Sequence, residues 1–203
     1  MFYIVESDEQ LTRLQKLGIN GGYVEIVSSN DLYHPKLTST VAVYIRPITS
    51  EQGFIIPVNH DEGFNVSKER VSEILKDYTV LYTLDKKNLL YHFNLQHATD
   101  LSLLYSMTQY NKLEIPFQNK TINQFYNKHS QFSNINQLIP ISILYSRCET
   151  NYNFLESLFS VPLPSGFDFY NNIATNVFFL LEQSGLGIKY DEFVEIFKPR
   201  EPK

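Results

Sequence analysis

The chain opens with a short apolar run, residues 2–5 (FYIV), that reads as a strand. Ser7 then caps a helix. Gln10, three residues on, completes a capping box, Leu11, Leu14 and Leu17 form the apolar stripe, and Gly18 ends it. Residues 22–28 (GYVEIVS) form a strand, followed by the polar loop SSNDLYHPK. Residues 38–47 (TSTVAVYIRP) alternate as a second strand, and residues 53–58 (GFIIPV), after the turn TSEQG, form a third. Successive strands with short polar links predict an antiparallel meander.

The pattern then changes. Val66 to Asp77 reads as a helix capped by Asn65 or Ser67, residues 78–83 (YTVLYT) as a strand, and residues 85–95 as a helix with Leu89, Leu90 and Phe93 inward. Asp100 starts another helix over 100–110. Strand–helix–strand alternation after a meander marks an α/β fold. Beyond residue 121 the periodicity predicts helices only, at 121–129, 135–159 and 167–184. Pro162 and Pro164 separate the last two, Gly185 and Gly187 stop the third, and residues 188–197 (IKYDEFVEIF) start a further short element. KPREPK reads as a polar tail.

Composition narrows the class. Of 203 residues, 43% are apolar and 19% charged, and Gly plus Pro total only 8 and 9, so the chain can bury a full core and is neither disordered nor fibrous. No apolar run suits a membrane-spanning helix, and MFYIVESDEQ lacks a basic region ahead of an apolar one, so a cytoplasmic, intracellular protein without a membrane partner is expected. One cysteine, Cys148, excludes an internal disulfide and a cysteine-rich zinc site. It lies mid-helix and reads as an inert buried thiol. A net charge of −5 argues against gripping long nucleic acid unaided and favours a protein-binding role.

The usual catalytic motifs are missing. There is no GxGxxG, GxxxxGK[ST] or GxSxG. The five histidines are scattered, His92 and His97 at i, i+5 make a poor zinc pair, and His60-Asp61-Glu62 reads as a solvated turn.

Several segments, in order, resemble the proofreading 3′–5′ exonuclease domain of family A DNA polymerases. YIVESDEQLTRLQKLGINGGYVEIV is similar to that family's strand, helix and first catalytic strand. TSTVAVYIRPITSEQGFIIPVNHDEG resembles its second and third strands, with apolar-Ile-Pro-Val-x-His after the third. DLSLLYSM resembles Asp-Thr-x-Leu-x-x-Tyr-Leu, TINQFYNKH a short helix, LYSRCETNYNFLESLF the third exonuclease motif Tyr-Ala-x-x-Asp-Ala, and NVFFLLEQSGLGIKYDEF the segment leading into the polymerase thumb. The resemblance covers nearly the whole sequence. It implies an RNase H-like fold, α/β, with a mixed five-stranded sheet flanked by helices and a helical C-terminal segment. Residues 1–160 would form the exonuclease-like domain and 161–203 the segment leading toward a thumb, packed on the same domain.

The family hydrolyses a phosphodiester with two metal ions held by four carboxylates. On the matching positions, the first motif, Asp-x-Glu, keeps at most Glu25. The second places Lys87 where the metal-binding Asp belongs, with Asp85 available only by a register slip. In the third, Tyr145 matches the tyrosine that orients the water and Glu149 matches the Asp. Lys87 is placed to neutralise Glu25 or Glu149. The resemblance therefore implies remnant catalytic positions at Glu25, Tyr145 and Glu149, no bound metal and no cofactor. The expected role is that of a catalytically inactive module acting as a structural or docking part of the DNA replication machinery. Its partner would be a DNA polymerase body or another replication protein, and it would reach DNA through that partner. Tyr190, Phe193 and Phe197 are the expected docking residues, while part of helix 167–184 packs on helix 135–159 through Leu144, Phe154 and Leu158. Two alternatives stand beside this one. The first is an active 3′–5′ exonuclease that uses Mg²⁺ on displaced ligands, Glu25, Asp85 and Glu149 with Asp100. The second is an unrelated α/β interaction domain.

Overall fold

The structure is a computed structural model that describes residues 3–31, 34–109, 124, 126–128 and 132–183. Five strands form one sheet: β1 (Gly22–Ser28), β2 (Thr40–Pro47), β3 (Phe54–Pro57), β4 (Leu81–Thr83) and β5 (Ala98–Asp100). Their order is β3-β2-β1-β4-β5. The first three run antiparallel, while β4 pairs parallel with β1 and β5 parallel with β4. This is the RNase H-like arrangement, with β1 at the centre.

Both faces of β1 are covered. Strand residues point alternately to the two sides. Val24 and Ile26 pack in one core with α1 (Asp8–Leu17), α2 (Lys68–Lys76) and α3 (Lys86–Phe93), through Leu11, Leu14, Val71, Ile74, Leu89 and Phe93. Tyr23 and Val27 pack in the other with α4 (Leu101–Gln109) and α5 (Ile141–Leu155), through Leu101, Leu104, Ile141, Leu144 and Leu155. Glu25 shares the face of Tyr23 and Val27 and so points toward α5.

Helix starts follow their capping chemistry. Ser7 accepts from Gln10 N, Ser67 from Arg70 N and Asp85 from Asn88 N. Asp100 caps α4, accepting at Oδ1 from Leu103 N at 2.9 Å and Ser102 Oγ at 2.8 Å.

The expected elements need several corrections. The fifth strand is not supplied by the expected segment 2–5, of which residues 3–5 are described. Residues 3–5 make only a bridge along β3, with Val5 N donating to Ile55 O and Ile55 N to Tyr3 O, both at 2.9 Å. The fifth strand is β5, three residues long and without alternation to announce it. Residues 78–80 do not join β4; Tyr78 turns into the core and its hydroxyl donates to Leu14 O at 3.3 Å. Pro140 divides the helix expected over 135–159. A 3₁₀ turn at Ile135–Gln137 precedes it, α5 follows, and α5 tightens into a second 3₁₀ turn at Glu156–Ser160. His60 does not sit in a solvated turn. It is buried, and its Nε2 lies 2.9 Å from Ile139 O. Of the helix expected over 121–129, only 124 and 126–128 are described, and they are helical.

The last described segment is a π-helical turn, Phe169–Ala174, running into α6 (Thr175–Gln183). It packs on α3 and β5, and Phe167, just ahead of it, lies in the core that also holds Leu144 and Leu158. Phe179 meets Tyr91 edge-on at 4.9 Å, and Lys87 Nζ lies 2.6 Å from Glu182 Oε1. Phe154 faces outward, 39% exposed, against Tyr105. The π turn aims Asn171 at the free edge of β5, where its carboxamide receives Asp100 N at 2.9 Å and donates to Ala98 O at 3.1 Å. Fully buried Lys86 ties the same turn down, donating to Asn171 O at 2.8 Å and Asn172 Oδ1 at 2.9 Å. No described helix is long and apolar enough to cross a membrane.

Candidate functional site

Parallel pairing brings the carboxyl ends of β1 and β4 side by side, next to the point where the sheet turns antiparallel at β2. In open α/β sheets this is where clefts form. A cavity of about 200 Å³ lies here, and the side chains lining it include Glu25, Ser28, Asp31, Asp85, Asn88 and Arg147.

Glu25 is buried on β1. Tyr23 Oη donates to its Oε2 at 2.8 Å, and Asn151 Nδ2, from α5, to its Oε1 at 2.9 Å. Burial pushes its carboxyl above the usual range, against the opposing pull of Arg147 and of its two hydrogen bonds. Arg147 comes from the same face of α5, one turn before Asn151. Its guanidinium is buried and donates from Nη1 to Asp31 Oδ2 at 2.5 Å. Burial alone would lower its pKa, but Asp31 and Glu25 hold it above the ordinary value, so it is a permanent cation.

Asp31 is held from several sides. Tyr126 Oη donates to Oδ2 at 2.9 Å and Asn136 Nδ2 to Oδ1 at 3.0 Å, while Asn136 also reaches Ser28 O at 2.7 Å. Asp85 enters the cavity from the N-cap of α3. Burial, then neighbouring Asp100, raises its pKa. Two buried side-chain atoms of the lining, Arg147 Nε and Asn88 Oδ1, have no hydrogen-bond partner.

Tyr145 and Glu149 lie elsewhere. They are on one face of α5, and the Tyr145 hydroxyl donates to Glu149 Oε1 at 3.0 Å. That carboxylate also receives the Tyr44 hydroxyl, Gly53 N at 3.1 Å and Arg46 Nη1 at 2.9 Å. The cluster ties α5 to β2 and to the turn before β3, away from Glu25. Lys87 neutralises neither glutamate; it pairs with Glu182 on α6. Asp100 is occupied as a cap, with Lys86 N on its Oδ2 at 3.0 Å. Cys148 is buried, and burial pushes its thiol well up. Tyr190, Phe193 and Phe197 lie outside the described residues.

The structure thus brings Glu25 and Asp85 to one cavity and separates both from Tyr145, Glu149 and Lys87. Sequence reasoning missed Asp31, Arg147 and Asn151. Arg147 and Asn151 carried one usable signal: a charged and a polar residue at i, i+4 inside an apolar helix, on a different face from Tyr145 and Glu149.

Divalent ions serve the active members of the fold family named above, and the residues of this cleft do not fit one. Among the described residues no three His, Cys, Asp or Glu side chains converge to hold a metal. Both oxygens of Glu25 already accept hydrogen bonds, and a guanidinium interacts with Glu25 and Asp31 together.

No family model matches the sequence, and no curated protein matches it. Several solved structures are similar to the chain at low identity. The EXO domain of Aedes aegypti Nibbler is 13% identical, with 78% of this chain and 88% of that one aligned at a TM-score of 0.43. A structure described as the apo form of a nuclease is 11% identical over 98% and 95%, at 0.46. The catalytic core of RRP6 from Trypanosoma brucei is 14% identical over 90% and 50%, at 0.43.

Proposed function

We propose that this chain is an exonuclease-like module of a family A DNA polymerase that does not itself cut nucleic acid and serves as a structural or docking part of the replication machinery. The observation that carries the inactive reading is Arg147, ion-paired to Asp31 and acting on Glu25 inside the cleft at the ends of β1 and β4. A two-metal site needs several unshared carboxylate oxygens around two cations. Here the guanidinium takes Asp31 Oδ2, and Tyr23 and Asn151 take the two oxygens of Glu25. The polymerase association is supported by the ordered segment resemblances, from YIVESDEQ to the stretch that leads toward a thumb.

A docking role is supported by the outer surface of the last described segment. Phe169 (53%), Ile173 (56%), Phe178 (60%) and Leu180 (62%) are exposed there. Lone exposed apolar residues are ordinary, but a continuous set along one element suits a protein partner. The polymerase body is the partner proposed for it.

The test is a 3′-end shortening assay on single-stranded DNA and RNA with Mg²⁺ or Mn²⁺. No shortening is expected. Metal-dependent shortening that disappears in Glu25→Gln would overturn the inactive reading. Light scattering of the chain mixed with its polymerase should show a complex that Phe178→Asp weakens.

A further inference from the structure

The last described segment carries no charged residue from Phe169 through Leu181. Ile173, Val177 and Leu180 follow one another along its outer side, 56%, 48% and 62% exposed, with Phe169 and Phe178 exposed as well. Beside it lies a groove of about 440 Å³, lined by Leu103 and Ser106 of α4 and by Tyr170 and Phe178. The end of α6 is different in character. Two lysines meet Glu182 there, Lys87 Nζ at 2.6 Å from its Oε1 and Lys36 Nζ donating to its carbonyl at 3.2 Å. His34 Nε2 lies 3.3 Å from its Oε2. An apolar face with a cationic end suits an apolar element that carries carboxylates.

The sequence directly after α6 has that composition. Residues 184–187 (SGLG) contain two glycines, and antiparallel helices are joined by loops of about 2–5 residues. Beyond them Tyr190, Phe193, Val194 and Phe197 recur at i, i+3, i+4 and i+7, the spacing of one helical face, and Asp191, Glu192 and Glu195 stand between them. Ten residues, 188–197, make about 15 Å of helix, against nine residues in α6, so a returning segment is long enough to span the face.

We propose that residues 188–197 dock on the outer face of α6, so that the chain covers its own docking surface until a partner displaces them. Tyr190, Phe193 and Phe197 would take apolar area on both elements out of water. The carboxylates of Asp191, Glu192 and Glu195 would favour the orientation that brings them toward Lys36 and Lys87. A segment tethered this closely has an effective concentration of roughly millimolar order, so a modest intrinsic affinity is enough. The cover stands on the observations above, while its meaning as regulation rests on reading this face as the surface that docks the polymerase body.

The experiment uses the full chain with Val177→Cys, in the middle of the exposed stripe, and follows the rate of labelling by a thiol reagent. The native thiol, Cys148, is buried, and its failure to label shows that each variant is folded. Adding Phe193→Asp and Phe197→Asp should speed labelling at position 177 at least about tenfold, because protection of a site falls as its covered population falls. The milder pair Phe193→Ala and Phe197→Ala should act in the same direction. Leu163→Cys, exposed on the connector before the segment, should label at the same rate with and without either pair. Protection should not change on dilution.

Labelling at position 177 that neither pair alters overturns the proposal. So does protection that fades on dilution, which would make the occupant a second copy of the chain. The two readings fail separately. Protection relieved by either pair, beside a chain that binds no polymerase body, defeats the docking function and leaves the cover in place. Unprotected labelling in the Val177→Cys chain, beside a polymerase complex that Phe178→Asp weakens, defeats only the cover.

Discussion

Glu25 faces α5 and Glu149 stands on it, yet the two carboxylates are held in opposite ways. Glu149 collects the Tyr44 and Tyr145 hydroxyls, Gly53 N and Arg46, whose guanidinium also lies 4.0 Å over the Tyr152 ring. Its charge is spent on joining a helix to β2 and to the turn before β3. Glu25 has one hydroxyl and one carboxamide, and beyond them a cavity and a cation shared with Asp31. A carboxylate that is fully bonded is a brace. One that is buried, raised in pKa and opening on a cavity is a candidate for chemistry. A position in a motif did not distinguish the two, but their hydrogen-bond partners do.

The sharpest way to break this comparison is Glu149→Ala. It leaves Arg46 largely buried without its carboxylate and removes the acceptor of three further donors, so a loss of about 3 kcal/mol is expected, read by urea denaturation. A loss under about 1 kcal/mol would mean that Glu149 is not a brace.

Lys86 supplies a reference charge, one that is buried with only neutral acceptors. Burial lowers its pKa from 10.5 to about 8, against the pull of Asp100. Between pH 8 and 10.5 the unfolded chain then binds more protons than the native one, so this group makes stability rise with pH in that window. Lys86→Met should abolish that rise, measured as the difference between the two proteins' denaturation midpoints across the window.

Glu25 has the opposite sign. Its native pKa is raised above 4.5, so the native state holds the proton longer. Its contribution is fully present below the ordinary value and is lost as pH rises through the raised one. Glu25→Gln should flatten that decline, with a change at neutral pH of no more than about 1 kcal/mol. The smallest effect belongs to Lys87→Ala. Its pair with Glu182 is about one-third exposed on each side, and the expected loss is within about 0.5 kcal/mol. A larger loss would give Lys87 a role at the cleft that its position does not show.

Much of the fold is written in local patterns. The meander, the helix caps at Ser7 and Asp100, and the parallel return at β4 all follow from alternation, capping residues and chain order. What escaped was non-local. Strand β5 is three residues, and part of what holds it is a carboxamide 71 residues away in sequence, between Asp100 and Asn171. Arg147 comes two positions after Tyr145, but a helix turns them to different faces, and only packing shows which face meets β1. Asp31 lay in a segment that reads as polar loop, and its place in the cleft depends on Tyr126 and Asn136 far along the chain.

The sealing of the sheet bears on how anything else could attach to this protein. A strand at the edge of a sheet is an open template for another chain. Here residues 3–5 occupy the outer side of β3, and the Asn171 carboxamide takes the free main-chain groups of Ala98 and Asp100 on β5. An extended peptide therefore finds no ready row of amides and carbonyls to pair with, and recognition by strand addition is closed off until one of these plugs is displaced. Recognition is left to helix surfaces and side chains, where selectivity depends on shape and charge. In Asn171→Ala the β5 edge would lose its plug, and self-association through added strands would become the characteristic failure of the mutant.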